Sequence, residues 1–428
     1  MGFLTSVKSP PGILGGMIWL PKLWAGSWAP FLAILGALGA LISCMNKDRR
    51  AFWAGAVGMV LGSRYTLKVT AEKDPFEPVF GAHWEDQIPV DLRSRLPARR
   101  YRLIQPASPP VPGQRNVLIG ESGDIHRPLL CDIWEPVASV PHTGLAVIYL
   151  HGGLWQALDK DFLTQPLFRR LACQGHVVMD VAYSLSPEAD LDCMLRDVRQ
   201  AILWMKKHSA GYGANPDHIV LMGVSGGAHL ALLAAYAPSH PAFRVSGQDA
   251  DMTVRGVVSI SGITDLGAFF REYARTNPKQ PEYSWQITDY IRPRIHDRTW
   301  LDRFMTRSRA FPAYRHANMP GGALLLVYLL GGTLNEIPGI YRLGSPIVHV
   351  GPHCPPTLHV YAEDDFVVNV SQGRRLHDAL RAAGAVSTYI ELPGTVHGFD
   401  QYFGVSRRVA PAAQSVAYDL DRFLALLV

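Results

Sequence analysis

The chain has 428 residues, enough for one large domain with added segments or for two domains. A hydrophobic fraction of 48% with a charged fraction of 18% excludes global disorder, and the net charge of +5, from 41 basic and 36 acidic side chains without a long basic run, excludes a nucleic-acid footprint. The five cysteines (Cys44, Cys131, Cys173, Cys193 and Cys354) are odd in number, scattered and without a C-x-x-C pair, so neither a disulfide scaffold nor a zinc cluster is expected.

The first 64 residues differ from the rest. No charged side chain occurs in "LWAGSWAPFLAILGALGALISCMN", residues 23–46, a run long enough to cross a bilayer as one helix. Trp24 and Trp28 near one end suit interfacial anchors. Lys47, Arg49 and Arg50 follow, and then a second apolar run, "AFWAGAVGMVLGS" (51–63), which is short for a span but completes a hairpin or lies in the interface. With a hairpin, the basic loop 47–50 lies in the cytoplasm and the rest of the chain outside; with a single span, the C-terminal part is cytoplasmic. "LISC" (41–44) also resembles a lipoprotein cleavage box that would lipidate Cys44, although the leader is unusually long. Membrane attachment through an anchor over 1–64 is the expectation.

Residues 65–124 read as a connector with leading strands, including the proline-rich loop "PASPPVPG" (106–113). A regular pattern begins thereafter. "PLLCDIWEP" reads as a strand and "GLAVIYL" (144–150) as a strand buried on both faces. "DFLTQPLFRRLACQG" is a helix closed by Gly175, "HVVMDVAYS" a strand, and "DLDCMLRDVRQAILWMKKHSAGYG" a long amphipathic helix. "HIVLMG" (strand), "AHLALLAAYA" (helix) and "VRGVVSISG" (strand, 254–262) come next. "PTLHVYAE", a helix from Gln372 to Ala383, "VSTYIEL" and a helix from about Pro411 to Leu427 end the chain. Such alternation over 125–428 implies a mostly parallel central sheet with helices on both faces. It breaks over about 263–350, which reads as a cap insertion, with "GGALLLVYLLGG" (321–332) as a cap helix.

One stretch carries chemistry. In "HIVLMGVSGGAHLALLAAY" (218–236), G-x-S-x-G sits between a buried strand and a helix, the setting of a nucleophile elbow that displays Ser225 above the sheet. A serine hydroxyl needs a base, and the base an orienting acid, in the chain order serine, acid, histidine. "ELPGTVHGFD" (391–400) places His397 in a loop after a strand; "LHVYAEDDFVV" (358–368) places acids at a strand end, where Asp365 is favoured over Asp364 and Glu363. Asp265 in "SGITDL" is a remote alternative acid that reads better as a helix N-cap. "YLHGGLW" (149–155) follows the apolar strand and supplies oxyanion donors from Gly152 and Gly153, joined by Gly226 after the serine. Leu154 and Trp155 are assigned to substrate contact, with Leu154 a further potential donor, and His151 to a structural role under the loop.

Taken in order, "HGGLW", "GVSGG", "EDDFVV" and "PGTVHGF" resemble the α/β-hydrolase superfamily over about 125–428, and within it the esterase/lipase group with an HGG oxyanion motif, which includes hormone-sensitive-lipase-like and feruloyl-esterase-like carboxylesterases. "HGGLWQ" followed by "AYSLSP" is also similar to kynurenine formamidase and to the membrane-bound prenylcysteine methylesterases. Many relatives carry a third glycine where this chain has Leu154, and another residue where it has Gly226. The resemblance implies an α/β-hydrolase fold and a serine hydrolase of carboxylic esters, with Ser225, His397 and Asp365 as triad and no metal or organic cofactor; with the anchor expected over 1–64, the reading is a membrane-anchored esterase. Two other readings stay open: an amide or formamide hydrolase with the same triad, and a non-catalytic homologue.

Overall fold

A computed structural model of the chain describes residues 2–6, 8, 13–122, 125–238, 240, 251–275, 321–399 and 406–428. The middle of the expected cap insertion, 276–320, lies outside the described residues. Eight strands form one sheet: β1 (Gly113–Ser122), β2 (Arg127–Trp134), β3 (Gly144–Leu150), β4 (Val177–Val181), β5 (Ala214–Val224), β6 (Gly256–Ile260), β7 (Thr357–Ala362) and β8 (Ser387–Leu392). Their order is β1-β2-β4-β3-β5-β6-β7-β8. The β1/β2 and β2/β4 pairs are antiparallel and every other pair is parallel, so β3 to β8 all deliver their C-terminal ends to one edge. The α/β-hydrolase expectation agrees with this topology. Only β1, polar along "GQRNVLIGES", was not singled out in the sequence.

Side chains of β3 alternate between two cores, as a strand's period of two requires. Ala146, Ile148 and Leu150 join one apolar cluster; Leu145, Val147 and Tyr149 join the other. The first face is covered by α7 (Leu191–His208) and α8 (Gly226–Tyr236). The opposite face is covered by α6 (Gln165–Cys173), whose Phe168 and Leu171 are fully buried, and by α14 (Pro411–Leu426) with Leu420, Phe423 and Leu424. In the cap region, α9 (Leu266–Arg275) packs with α10 (Gly321–Leu330), which buries Leu325, Leu326 and Leu329. The helix following β7 is α12 (Ser371–Ala382), α11 (Pro338–Leu343) precedes that strand, and the short α13 (Ser406–Val409) leads into α14.

At the N-terminus the helices are α1 (Ile13–Ser27), α2 (Ala29–Met45) and α3 (Arg49–Val69). The single span expected over 23–46 is corrected here. Among the described residues no one helix is long and apolar enough to cross a membrane, and the segments Ile18–Ser27 and Ala29–Met45 meet at a bend of 75°. The physical reason is Pro30 in the first turn of α2: it lacks an N–H and its ring opposes the carbonyl four residues back, while Trp28 (φ −102°, ψ 8°) leaves helical geometry. The second apolar run lies in α3, which folds back against α2 as a hairpin. Small residues form its seam. A Cβ added to Gly36 would come within 2.7 Å of Gly55 O, and one added to Gly62 within 2.6 Å of Ala29 O, so the two backbones touch. Large apolar side chains point away: Leu35 (63% exposed), Leu41 (60%), Met45 (77%), Trp53 (63%) and Val60 (55%). Short helices α4 (Glu77–Phe80) and α5 (Val90–Arg93) then wrap the α14 face, where Arg100 pairs with Asp419 at 2.5 Å.

Among the described residues, three histidines are sealed in the core, one of them His229 in α8. His176 and His359 are fully buried, and desolvation lowers the pKa of each from 6.5 to about 3. The unfolded chain therefore binds more protons than the folded one between about pH 3 and pH 6.5, and stability is lost as pH falls through that window. Thermal unfolding midpoints should drop on going from about pH 7 to about pH 4, and His359→Leu should flatten that slope; a pH-independent midpoint for the unaltered protein would contradict it.

Candidate active site

Ser225 caps β5 at the edge where the parallel strands end. Its backbone takes φ 53° and ψ −119°, a conformation a non-glycine residue holds only when its surroundings enforce it. The enforcement is visible. Ser225 N donates to Ile260 O of β6 at 2.8 Å, and Ser225 O accepts from His229 N at 3.0 Å to start α8. The turn is closed by glycines: a Cβ on Gly223 would meet Gly227 C at 2.4 Å, and one on Gly227 would meet Leu150 O at 2.2 Å. Gly226, the first residue of α8, sits where helix N–H groups lack intrahelical acceptors and where the helix dipole favours negative charge.

The loop after β3 folds over this turn. Gly152 lies against Ser225, its added Cβ being 3.5 Å from the Ser225 Cβ. Gly153 (φ 106°) accepts from Gln156 N and Ala157 N at 3.1 and 3.0 Å, and Leu154 also has positive φ (54°). The Cβ position of Gly226 is 3.1 Å from Trp155 N, so the two predicted donor segments face each other. Trp155, assigned to substrate contact from the sequence, is fully buried (0% exposed) and supports the loop from beneath. Its indole Nε1 donates to His229 Nδ1 at 3.2 Å, and His229 Nε2 donates to Gly344 O at 2.8 Å. Burial lowers the His229 pKa from 6.5 to about 4, consistent with the neutral ring this pairing needs. His151 is hydrogen-bonded within the loop: Nδ1 donates to Gly152 O at 2.8 Å, and the ring stacks on Tyr183.

Asp365 and His397 come together from the ends of β7 and β8. His397 Nδ1 lies 2.7 Å from Asp365 Oδ2, which also accepts from Ser261 Oγ at 3.0 Å. Asp365 Oδ1 accepts from Val367 N at 2.9 Å and Val368 N at 2.8 Å. The competing acids are engaged elsewhere. Asp364 pairs with Lys22, Glu363 Oε2 accepts from Gly394 N at 2.8 Å, and Asp265 Oδ1 caps α9 by accepting from Ala268 N at 2.8 Å. Ser261, which follows β6, was missed in the sequence, since nothing in "SISG" marks it; His229 was missed because it lies inside an apolar helix. With Nδ1 held by a carboxylate, an imidazole presents Nε2 as a base, and two opposed backbone segments beside a strained serine can hold an oxyanion.

The sequence matches the family profile described as BD-FAE over residues 131–295. It is 30% identical over 345 residues to Esterase LipQ of Mycobacterium tuberculosis (strain ATCC 25618 / H37Rv), which covers 78% of this chain and 70% of that protein. The chain belongs to the BD-FAE family of feruloyl-esterase-like α/β hydrolases. Among other family relatives, the kynurenine formamidase of Danio rerio is 33% identical over 157 residues, 35% of this chain and 47% of that protein. The fold agrees with that of a thermophilic esterase from Thermogutta terrifontis solved with butyrate bound: TM-score 0.51 at 20% identity, covering 74% of this chain and 95% of that one. Family membership makes the chain an ester hydrolase by class.

If Asp365 orients the histidine, Asp365→Asn should lower kcat on a p-nitrophenyl ester by about 10³-fold or more with the fold intact, whereas Glu363→Gln should stay near the unaltered rate. Steady-state kinetics with circular dichroism as the folding control checks this.

Proposed function

We propose that this BD-FAE protein cleaves carboxylic esters through a Ser225–His397–Asp365 triad and an acyl-enzyme. The observation that carries the reading is the 2.7 Å Asp365–His397 bond at the same sheet edge as the strained Ser225. Ser225 Oγ attacks the acyl carbon while His397 Nε2 takes its proton. The carbonyl oxygen becomes an oxyanion held by backbone N–H groups of Gly226 and of the Gly152–Gly153–Leu154 loop. His397 returns the proton to the departing alkoxide, leaving Ser225 acylated. Water, deprotonated by His397, then attacks the acyl group, and the acid departs as Ser225 recovers its hydrogen. Asp365 stabilises the imidazolium in both halves.

Formamide cleavage by the same residues is the second reading, supported by the similarity to kynurenine formamidase. The leaving group is then an aryl amine, which needs the His397 proton more than an alkoxide does.

We also propose that the α2–α3 hairpin holds the enzyme at a membrane. Helix pairs in water bury their large apolar residues. This one buries small residues in its seam and exposes Leu35, Leu41, Met45 and Val60, the arrangement suited to a lipid surround. The 17-residue α2 is about 25 Å long, below the ~30 Å hydrocarbon thickness, so the hairpin suits shallow insertion as much as a span.

Ser225→Ala should abolish both p-nitrophenyl ester turnover and labelling by a fluorophosphonate probe while leaving the protein folded; unchanged turnover would remove the assignment. Comparing kcat/KM for a short ester and an aryl formamide decides between the two readings. In flotation with lipid vesicles, the full chain should rise with the lipid and a Leu35→Lys/Leu41→Lys variant should not.

A further inference from the structure

The α1 helix was expected only to anchor. In the structure it lies across the loops that carry the acid and the base. Trp19 Nε1 donates to the backbone carbonyl of His397 at 2.8 Å. The same indole meets the ring of Phe366, the residue after Asp365, edge-on with centroids 5.9 Å apart. One turn on, Lys22 Nζ pairs with Oδ2 of Asp364, the residue before Asp365, at 2.5 Å; the Lys22 side chain is 1% exposed and that of Asp364 11%. Positions i and i+3 share one helix face, so a single turn of α1 grips both neighbours of Asp365 and the backbone of His397. Other contacts continue the seat: Lys22, Gly26 and Tyr65 of the N-terminal helices line a narrow cleft with Gly394, Val396 and Phe399 of the histidine loop.

Besides the Asp365–His397 bond, backbone bonds also join the two loops to each other. Glu363 N donates to Leu392 O and Asp364 N to Thr395 O, both at 3.0 Å, and Gly394 N donates to the Glu363 carboxylate. These bonds fix the loop bases. The His397 backbone lies beyond them, and Trp19 is the side chain that holds its carbonyl from the N-terminal side. Displacements of about 1 Å in a catalytic group lower rates by as much as 10²-fold.

We propose that Trp19 and Lys22 of α1 are positioning residues of the active centre, holding the His397 and Asp365 loops in register, so that the N-terminal segment is part of the catalytic unit. The inference rests on the triad reading above. It also links the hairpin to the site: α1 joins the proposed lipid-facing helices to the histidine loop directly.

The test uses the full chain in detergent micelles with a water-soluble short p-nitrophenyl ester. Trp19→Phe keeps a ring against Phe366 but removes the donor to His397 O. It should lower kcat about tenfold with KM within about twofold of the unaltered value, and lower the rate of fluorophosphonate labelling of Ser225 in parallel. Lys22→Met should do the same and Lys22→Arg should restore most of the rate. Leu20→Ala, on an exposed position of the same helix, should leave the rate unchanged. A fall in unfolding midpoint that accounts for the whole loss of rate, or unaltered kcat in both Trp19→Phe and Lys22→Met, overturns the proposal. Ser225→Ala, run alongside, keeps the two readings apart. If it is inactive while Trp19→Phe and Lys22→Met are unimpaired, the positioning role alone falls; if it retains full activity, the triad reading falls and this inference with it.

Discussion

The carboxylate of Asp365 is the point on which the proposed triad depends. It takes four donors, two backbone N–H groups of its own loop, the Ser261 hydroxyl from the end of β6 and the His397 ring from the end of β8. A buried carboxylate requires such satisfaction, and each donor comes from a segment that the parallel sheet must first deliver to one edge. The register of β6 on β7 and of β7 on β8 is thus a requirement of the site as well as of the core. β5 meets the same condition from the other side, since the bond from Ser225 N to Ile260 O ties the Ser225 turn to the strand that leads into Ser261.

Much of this was legible in the sequence because it is local. "GLAVIYL" matches β3 residue for residue, because a strand buried on both faces leaves an unbroken apolar run. The elbow could be read because its glycines answer to backbone contacts with Leu150 and Gly227, and no side chain larger than hydrogen fits. Strand alternation favoured Asp365 over Glu363 and Asp364, and the three carboxylates bond to different partners, Asp365 to His397, Asp364 to Lys22 and Glu363 to Gly394. What escaped was non-local. Ser261 reaches an acid 104 positions away, and Trp19 reaches a carbonyl 378 positions away; neither separation leaves a pattern in a short window. The break between α1 and α2 was misread for a different reason. Apolar length was weighed and Pro30 was not, although a proline a third of the way into a 24-residue apolar run divides it.

Trp155 illustrates the limit of motif reading. Its place in "HGGLW" suggested contact with substrate, yet the indole is enclosed between the loop after β3 and α8 and spends its N–H on His229. His229 then passes the restraint to Gly344, which ends α11. The loop proposed to hold the oxyanion is therefore braced through one tryptophan and one neutral histidine to the end of α11, and its backbone, with positive φ at Gly153, Leu154 and Trp155, is held where it would not rest unaided.

The 75° bend at the end of α1 has an evolutionary consequence. Were the apolar N-terminus a straight span, it would be a tether, and any other tether of similar length would replace it. Bent, it divides into a part that faces outward and a part that is fitted to the His397 loop, and the two parts answer to different constraints. The hairpin is free to drift among apolar residues as long as its seam stays small. The turn containing Trp19 and Lys22 is not, since each change there has to be answered near Asp364, Phe366 or His397, more than 340 positions away. Substitutions at the two ends of this chain should be inherited in matched pairs, and exchanging the N-terminal segment between relatives should succeed only when the histidine loop travels with it.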